Sequence, residues 1–258
     1  MADETIFERD GAVAVLTFNR PEARNAMTWE MYEALGETCE RVDADDSIRV
    51  LVLRGASDRA FVSGTDIRQF LQFKTREDAL GYEARLDQSI GRLYQLKKPS
   101  IAMLQGDAVG GGLFMAISCD VRIAAEHVRF GVPVARTLGN FPQPANYSRL
   151  VAAIGIVRAR NLVLTARLMK ADEAAAVGLV DEVVPMDQLE ARVLEQAQRM
   201  AKHAPLTMAA IKEAARRQTE TFAISDSEDL MLSCYLSEDF QEGVRAFLEK
   251  RPANWQSR

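Results

Sequence analysis

Two short turns in the sequence carry backbone groups that could bind a negatively charged oxygen. The first reads SGTD (63–66) and follows a predicted strand, and the second is the glycine triplet 110–112. A turn that opens a helix exposes N–H groups, and the helix dipole adds partial positive charge there. Either turn alone is commonly structural. Two in one domain predict paired N–H donors that converge on one oxygen, which is an oxyanion hole.

The side chains around the glycine triplet offer no acid or base. Phe114 follows the triplet by two residues, and from His127 to Ala171 the sequence contains no aspartate or glutamate. A group that moves a proton must therefore come from elsewhere, and the candidates are Asp66, Asp87, Asp107, Asn140, Asn146 and Tyr147. The alternative for Asp107 is a solvated turn residue, and the alternative for Tyr147 is a tyrosine at the edge of the core.

Alternating strand and helix patterns are predicted to position these turns. Strands are predicted at 11–19, 49–53, 100–104 and 121–124, with helices after the cap residue Thr28 and over 76–95. From about residue 146 helical patterns dominate, with helix starts at Pro205 and Ser237. The sequence predicts an α/β core over 1–195 and a helical C-terminal region over 196–258.

Composition excludes several classes of protein. The 258 residues carry a net charge of −5, which argues against a nucleic-acid surface. Three cysteines lie far apart and only two histidines are present, so no metal-ligand spacing appears. The N-terminus lacks the pattern of a secretory signal, and no apolar run approaches the roughly 20 residues of a membrane span. We expect a cytoplasmic protein without membrane or nucleic-acid partners.

Six segments carry a resemblance that covers nearly the whole chain in order. They are RPEARNAM (20–27), AFVSGTDI (60–67), KKPSIAMLQGDAVGGGLFMAISCD (97–120), FGVPVARTLG (130–139), LTARLMKADEAAAVGLVDEVV (164–184) and SEDFQEGVRAFLEKRPANW (237–255). On these segments the sequence resembles the enoyl-CoA hydratase/isomerase (crotonase) family. The resemblance implies a spiral of repeated ββα units and a helical C-terminal trimerisation region. It also implies a homotrimer, or a hexamer of two stacked trimers.

The same resemblance implies a site for an acyl-CoA thioester. The N–H groups of Thr65 and Gly111 match those that stabilise the thioester enolate, so these two residues are the implied catalytic positions. The other positions implied to contact CoA or the acyl group are Arg24 at the phosphates, the segment Thr65, Asp66, Ile67 and Arg68 around the adenine, and also Ser63, Gly110, Phe114, Val134, and the C-terminal Phe247 and Lys250. CoA enters as part of the substrate, so neither a separate cofactor nor a metal is expected.

The sequence departs from the family at its two catalytic glutamates, whose positions are occupied by Phe114 and Val134. Neither side chain can move a proton, so hydration by a glutamate pair is doubtful. Decarboxylation of a malonyl-type thioester needs only the oxyanion hole, and hydrolysis or isomerisation with a remote acid stays open. A second hypothesis is an acyl-CoA-binding protein without catalysis. A third is a nucleotide-dependent oxidoreductase, from the loose match of Gly106, Ala108 and Gly111 to G-x-A-x-x-G, with Glu126 twenty residues on.

Overall fold

The computed structural model describes residues 3–221 and 228–257. Its strands are β1 (Thr5–Asp10), β2 (Val13–Phe18), β3 (Val50–Gly55), β4 (Ala60–Val62), β5 (Ser100–Leu104), β6 (Asp107–Val109), β7 (Val121–Ala125), β8 (Arg129–Gly131), β9 (Met169–Lys170) and β10 (Glu182–Val184). They form a larger sheet in the order β1-β2-β3-β5-β7-β10 and a smaller one in the order β4-β6-β8-β9. Neighbouring strands are parallel except for the pairs β1–β2 and β8–β9.

The helices follow the strand pairs in a repeated order. They are α1 (Trp29–Ala44), α2 (Arg76–Leu86), α3 (Arg92–Gln95), α4 (Gly111–Ser118), α5 (Val134–Thr137), α6 (Pro144–Ile154), α7 (Ile156–Leu164), α8 (Ala171–Ala176), α9 (Met186–Met200), α10 (Pro205–Thr221), α11 (Glu228–Tyr235) and α12 (Glu238–Leu248). Short 3₁₀ helices span Pro21–Ala23 and Ile67–Gln72. Because β3–β4, β5–β6 and β7–β8 each place one strand in each sheet before a helix, the predicted spiral of ββα units is confirmed.

The central strands are continuous apolar runs in the sequence because they are buried in the structure. Both β3 (VLVLRG) and β5 (SIAML) are buried along almost their whole length, as expected for parallel strands covered on both faces. The helix α4 packs tightly against β4 because Gly112 has no side chain. A Cβ atom at this position would overlap the carbonyl group of Val62. This close packing brings the start of α4 next to the end of β4.

The predicted elements differ from the structure in several places, and the short strands β4, β6 and β8 of the smaller sheet were not among the predicted strands. Strand β1 was not predicted, and it pairs with β2 as a mostly exposed outer strand. The predicted helix over 76–95 is divided, because a wider π-helical turn at Asp87–Gly91 separates α2 from α3. The helical region predicted from about residue 146 also contains the short strands β9 and β10. The caps at Thr28 and Ser237 are confirmed by their hydrogen bonds to Met31 N and Phe240 N.

The last two helices pack on the chain's own core. Phe240 of α12 contacts Phe70 of the 3₁₀ helix, with ring centroids 5.7 Å apart. The clustering of Met231, Leu232, Tyr235 and Leu236 in the sequence predicts an apolar surface for a partner subunit. That prediction is wrong for Met231 and Tyr235, since both are buried within the chain, whereas Leu236 is half exposed. Among the helices of 3–221 and 228–257, none has the length and apolar character needed to cross a bilayer.

Candidate active site

Thr65 and Gly111 lie side by side where the SGTD turn meets the start of α4. A Cβ atom on Gly111 would stand 3.8 Å from the backbone nitrogen of Thr65, and one on Gly64 would stand 3.7 Å from the nitrogen of Gly111. Within the described ranges, neither of these two N–H groups donates a hydrogen bond to another atom of the chain. Unpaired backbone N–H groups are uncommon in folded proteins. The structure therefore holds two adjacent donors that a ligand can use.

The SGTD turn is held by the segment that follows Arg20. The N–H of Met27 donates to the carbonyl of Gly64 at 2.8 Å, and the N–H of Asp66 donates to the carbonyl of Met27 at 2.9 Å. The N–H of Ser63 donates to the carbonyl of Arg24, whose side chain is exposed and whose φ is 52°. These backbone bonds bring the predicted CoA-binding positions Arg24 and Ser63 together beside Thr65.

The two turns differ in how far a helix contributes to them. Gly111 is the first residue of α4, so its N–H lies at the positive end of that helix. Gly110 precedes it with a φ of 56° and a ψ of −122°, a conformation that favours glycine. The SGTD turn opens a helix as predicted, but this helix is a 3₁₀ helix and Thr65 precedes it. Asp66 caps a 3₁₀ helix that begins only at Ile67, so the backbone pairing with Met27 orients Thr65.

Two tyrosine hydroxyls enclose the side chain of Thr65. The Oγ1 atom of Thr65 lies 2.9 Å from the hydroxyl oxygen of Tyr32 and 2.9 Å from that of Tyr82. Burial raises the pKa of both tyrosines above the ordinary value, so both remain protonated near neutral pH. Sequence analysis missed these two residues, because helices α1 and α2 bring them to Thr65 from positions far apart in the chain.

Asp66 and Arg68 form an ion pair at the edge of the site. The Arg68 guanidinium lies 2.5 Å from the Asp66 carboxylate, and Arg20 lies 3.4 Å from the same oxygen. Hydrogen bonding to Arg68 lowers the pKa of Asp66, which is therefore ionised and engaged in holding the turn. Ile67 packs against the core, and Arg68 is largely exposed. Asp66 is thus a structural cap here, and the exposed guanidinium is the group available to a ligand.

Most of the other polar candidates take part in contacts that hold the fold together. Asp107 accepts from the N–H of Arg129 at 2.9 Å and forms an ion pair with its guanidinium at 2.5 Å. Asn146 is bonded to Gln143 and Arg149, while Tyr147 contacts the ring of Phe141. Asp87 is exposed at the π-helical turn. Asn140 differs from these residues, because its Oδ1 is buried without a hydrogen-bond partner.

The two positions at which the family resemblance implies glutamates, 114 and 134, carry apolar side chains packed in or against the core. Phe114 is 5% exposed on α4, and Val134 is a half-buried residue at the start of α5. The predicted CoA-contacting residues Phe247 and Lys250 lie at the end of α12, where Phe247 is 48% exposed. Their contact with CoA stays a prediction.

Comparison with known proteins agrees with this geometry. The family model described as enoyl-CoA hydratase/isomerase matches residues 8–258. The chain belongs to this family. It is 33% identical to the short-chain-enoyl-CoA hydratase of Clostridium acetobutylicum, over 96% of each chain. It is therefore an acyl-CoA-processing enzyme of the crotonase family.

Two solved structures are also similar over nearly their whole length. A methylmalonyl-CoA decarboxylase in complex with 2-nitronate-propionyl-CoA superposes with a TM-score of 0.90 at 29% identity, covering 99% of each chain. An enoyl-CoA hydratase/carnithine racemase from Magnetospirillum magneticum superposes with a TM-score of 0.79 at 34% identity, covering 100% of this chain and 97% of the other. The oxidoreductase hypothesis is not supported, since strand β6 runs through the G-x-A-x-x-G match, where a dinucleotide-binding loop needs a turn.

One buried acid of this crotonase-family chain was absent from the sequence-based candidates. Glu83 is 8% exposed and lies on the inner face of α2 with Ala79, Tyr82 and Leu86. A signal for it is present in the sequence, because position 83 falls on the same helical stripe as these apolar residues. Burial raises the pKa of Glu83 to about 8.

Proposed function

We propose that the chain stabilises the enolate of an acyl-CoA thioester with the N–H groups of Thr65 and Gly111, in a reaction other than hydration by a glutamate pair. The observation that carries this proposal is the pair of adjacent, unused N–H donors. Each such donor is typically worth about 10²–10³-fold in rate where negative charge develops on an oxygen. Phe114 and Val134 add no acid or base beside these two donors. Polarisation of the thioester by the backbone N–H groups is therefore the main source of catalysis that these positions supply.

Decarboxylation of a malonyl-type thioester is the reaction class that fits these residues. Loss of carbon dioxide leaves the bonding electrons on the α-carbon and generates the enolate directly, so no base is needed for that step. The buried ring of Phe114 would disfavour a charged carboxylate in the ground state. The fold is compatible with this class, because the chain superposes on a methylmalonyl-CoA decarboxylase with a TM-score of 0.90. The ligand of that decarboxylase contains a nitronate, which is planar and negatively charged like an enolate.

The CoA moiety is proposed to contact the exposed positions around the SGTD turn and the C-terminus. Arg24 would meet the phosphates, and residues 65–68 would surround the adenine. Phe247 and Lys250 would close over the CoA from the end of α12. The exposed guanidinium groups of Arg24 and Arg68 supply the positive charge that phosphates require. We further propose a homotrimer or a hexamer of two trimers as the working assembly.

A panel of CoA thioesters tests this function with the purified full chain. Methylmalonyl-, crotonyl-, 3-enoyl- and 3-hydroxyacyl-CoA are compared by mass spectrometry for turnover and by calorimetry for binding. We expect methylmalonyl-CoA to lose carbon dioxide faster than crotonyl-CoA is hydrated. Tight binding of all four without turnover would contradict catalysis and support an acyl-CoA-binding protein. A failure to bind any of them would contradict the thioester site.

A further inference from the structure

We propose that Glu83 is the acid–base group of this site, which delivers a proton to the α-carbon of the bound thioester and removes one from it. The assignment rests on the proposed function, because it needs a thioester enolate held at Thr65 and Gly111. It supplies the proton-transfer group that Phe114 and Val134 cannot provide. None of the six candidates taken from the sequence is this residue.

Glu83 is buried without a cation as its partner. Its side chain faces inward from α2, and the residue is 8% exposed. Buried glutamates are normally found in ion pairs. Over residues 3–221 and 228–257, no lysine, arginine or histidine forms a salt bridge with it. A carboxyl group kept in this setting costs stability, which is typical of residues retained for chemistry.

The two residues bonded to the Tyr235 hydroxyl each carry one buried oxygen atom without a hydrogen-bond partner. The Tyr235 hydroxyl donates to Oε1 of Glu83 at 3.3 Å and accepts from Nδ2 of Asn140 at 3.2 Å. The other oxygen of each partner, Oε2 of Glu83 and Oδ1 of Asn140, is buried with no hydrogen-bond partner. Buried polar atoms are nearly always bonded, so these two oxygens indicate a place for a ligand or a water molecule.

Contacts of neighbouring residues link Glu83 to Thr65 on one side and to the segment after Val134 on the other. Tyr82, the residue before Glu83, bonds to Oγ1 of Thr65, and its ring lies 6.0 Å from that of Tyr235. On the other side, Gln143 donates to the backbone carbonyl of Glu83 at 3.5 Å. Gln143 and Asn140 belong to the segment that follows Val134 on α5. Glu83 thus lies on the helix whose Tyr82 contacts Thr65, and its backbone carbonyl and its partner Tyr235 both contact the segment that follows Val134.

The charge state of Glu83 suits transfer in both directions. Burial is the main cause that raises its pKa to about 8, the charge of Asp87 raises it further, and the Tyr235 hydroxyl opposes the shift. Tyr32 and Tyr82 face it from α1 and α2 as neutral phenols, and Asn140 and Gln143 face it from the α5–α6 segment as neutral amides. A group that titrates close to the working pH is the most effective acid–base catalyst.

Glu83 would transfer one proton in each direction of the reaction. The protonated carboxyl gives its proton to the α-carbon of the enolate, and the O–H electrons remain on Glu83 as a carboxylate. Water returns the proton before the next turnover. In the reverse direction the carboxylate takes an α-proton, and the C–H electrons pass to the thioester oxygen between the N–H groups of Thr65 and Gly111.

Exchange of α-protons in D₂O tests the assignment without requiring the natural substrate. Propionyl-CoA is incubated with the full chain at pH 6 to 10, and deuterium uptake at the α-carbon is followed by mass spectrometry. We expect the exchange rate to rise with pH and to level off above about 8, where Glu83 is ionised. Glu83→Gln should lower the rate by about 100-fold or more, as expected for loss of a positioned base. Its affinity for propionyl-CoA should remain.

Two further variants separate this role from a structural one. Glu77→Gln removes an exposed carboxylate of the same helix and should leave the exchange unchanged. Tyr235→Phe keeps the ring and removes the hydroxyl that lowers the pKa of Glu83, so the pH midpoint of exchange should move upward. Exchange that persists in Glu83→Gln would overturn the assignment and leave the thioester site intact. Absence of propionyl-CoA binding by the wild type would contradict the thioester site and this assignment together.

Discussion

The hydroxyl oxygen of Tyr32 lies 2.9 Å from Oγ1 of Thr65. The same hydroxyl would stand 3.1 Å from a Cβ atom on Gly111. Tyr32 of α1 therefore contacts Thr65, which carries one proposed N–H donor. It also lies beside Gly111, which carries the other. Tyr82 completes the arrangement from α2. Because both tyrosines are buried in packed aromatic surroundings, the separation of the two donors is fixed before any ligand binds.

Replacement of Thr65 by valine is expected to destabilise the fold. Valine keeps the shape of threonine but leaves the buried hydroxyls of Tyr32 and Tyr82 without their partner. Each unsatisfied group costs about 1–3 kcal/mol. Guanidinium unfolding should show this loss in free energy of unfolding, while Thr65→Ser, which keeps the oxygen, should lose less. Equal stability of the valine variant and wild type would show that the hydrogen bonds between the hydroxyls of Tyr32, Thr65 and Tyr82 contribute nothing to the free energy of unfolding.

Gly111→Pro removes one proposed N–H donor at a helix position that tolerates proline. The first residue of a helix is favourable for proline, and Gly111 occupies that position in α4. Gly111→Ala is the matched control, because it introduces the same Cβ near Tyr32 and keeps the N–H. The proline variant should turn over its substrate about 10²–10³-fold more slowly than the alanine variant. Equal rates in these two variants would contradict a role for the Gly111 N–H.

Hydration of crotonyl-CoA by the wild-type chain is expected to be very slow. Each positioned acid or base usually contributes about 10²–10⁴-fold, and Phe114 and Val134 stand at both family positions. The double substitution Phe114→Glu with Val134→Glu should raise the hydration rate, although two buried carboxyls will cost stability. The loss of absorbance of the enoyl thioester measures both rates. Rapid hydration by the wild type would show that another acid–base pair operates.

The stability of the wild type should decrease as the pH rises from 5 to 8, relative to that of Glu83→Gln. Burial raises the pKa of Glu83 from 4.5 to about 8, so the unfolded chain releases this proton first. The contribution of Glu83 to the free energy of unfolding is therefore complete below about pH 4.5 and is lost as the pH rises through 8. The slope of this loss is at most about 1.4 kcal/mol per pH unit. Urea unfolding of both proteins at several pH values measures it. Parallel pH profiles would mean that Glu83 ionises normally in the fold.

Helix α10 is expected to contribute to the subunit interface. None of its residues is buried in the chain, and Leu206 and Ile211 are 84% and 65% exposed. Light scattering should show a trimer or hexamer for the wild type, and Ile211→Asp should shift it toward smaller species. Gln218→Asp, at an exposed polar position of the same helix, is the control. A wild-type monomer at micromolar concentration would contradict the proposed assembly.

Beyond the ββα order, which its family resemblance implied, the sequence alone determined the alternation of strands and helices, the two backbone turns and the apolar side chains at the two implied glutamate positions. These features depend on residues close together in the chain: apolar runs that make buried strands, glycines at 110–112, and the single positions 114 and 134. Local patterns are sufficient for them because the period of side-chain burial follows directly from the geometry of helices and strands.

Only the tertiary structure decided which side chains meet at Thr65 and which acid is buried. Tyr32, Thr65 and Tyr82 lie on separate elements, and their contacts depend on how α1 and α2 pack against the SGTD turn. Glu83 was placed on a polar helix by its sequence, and packing against Tyr235 and the segment around Asn140 removes it from water. Burial, which sets the protonation of a carboxyl group, is a property of all the elements around it and not of the neighbouring residues in the chain.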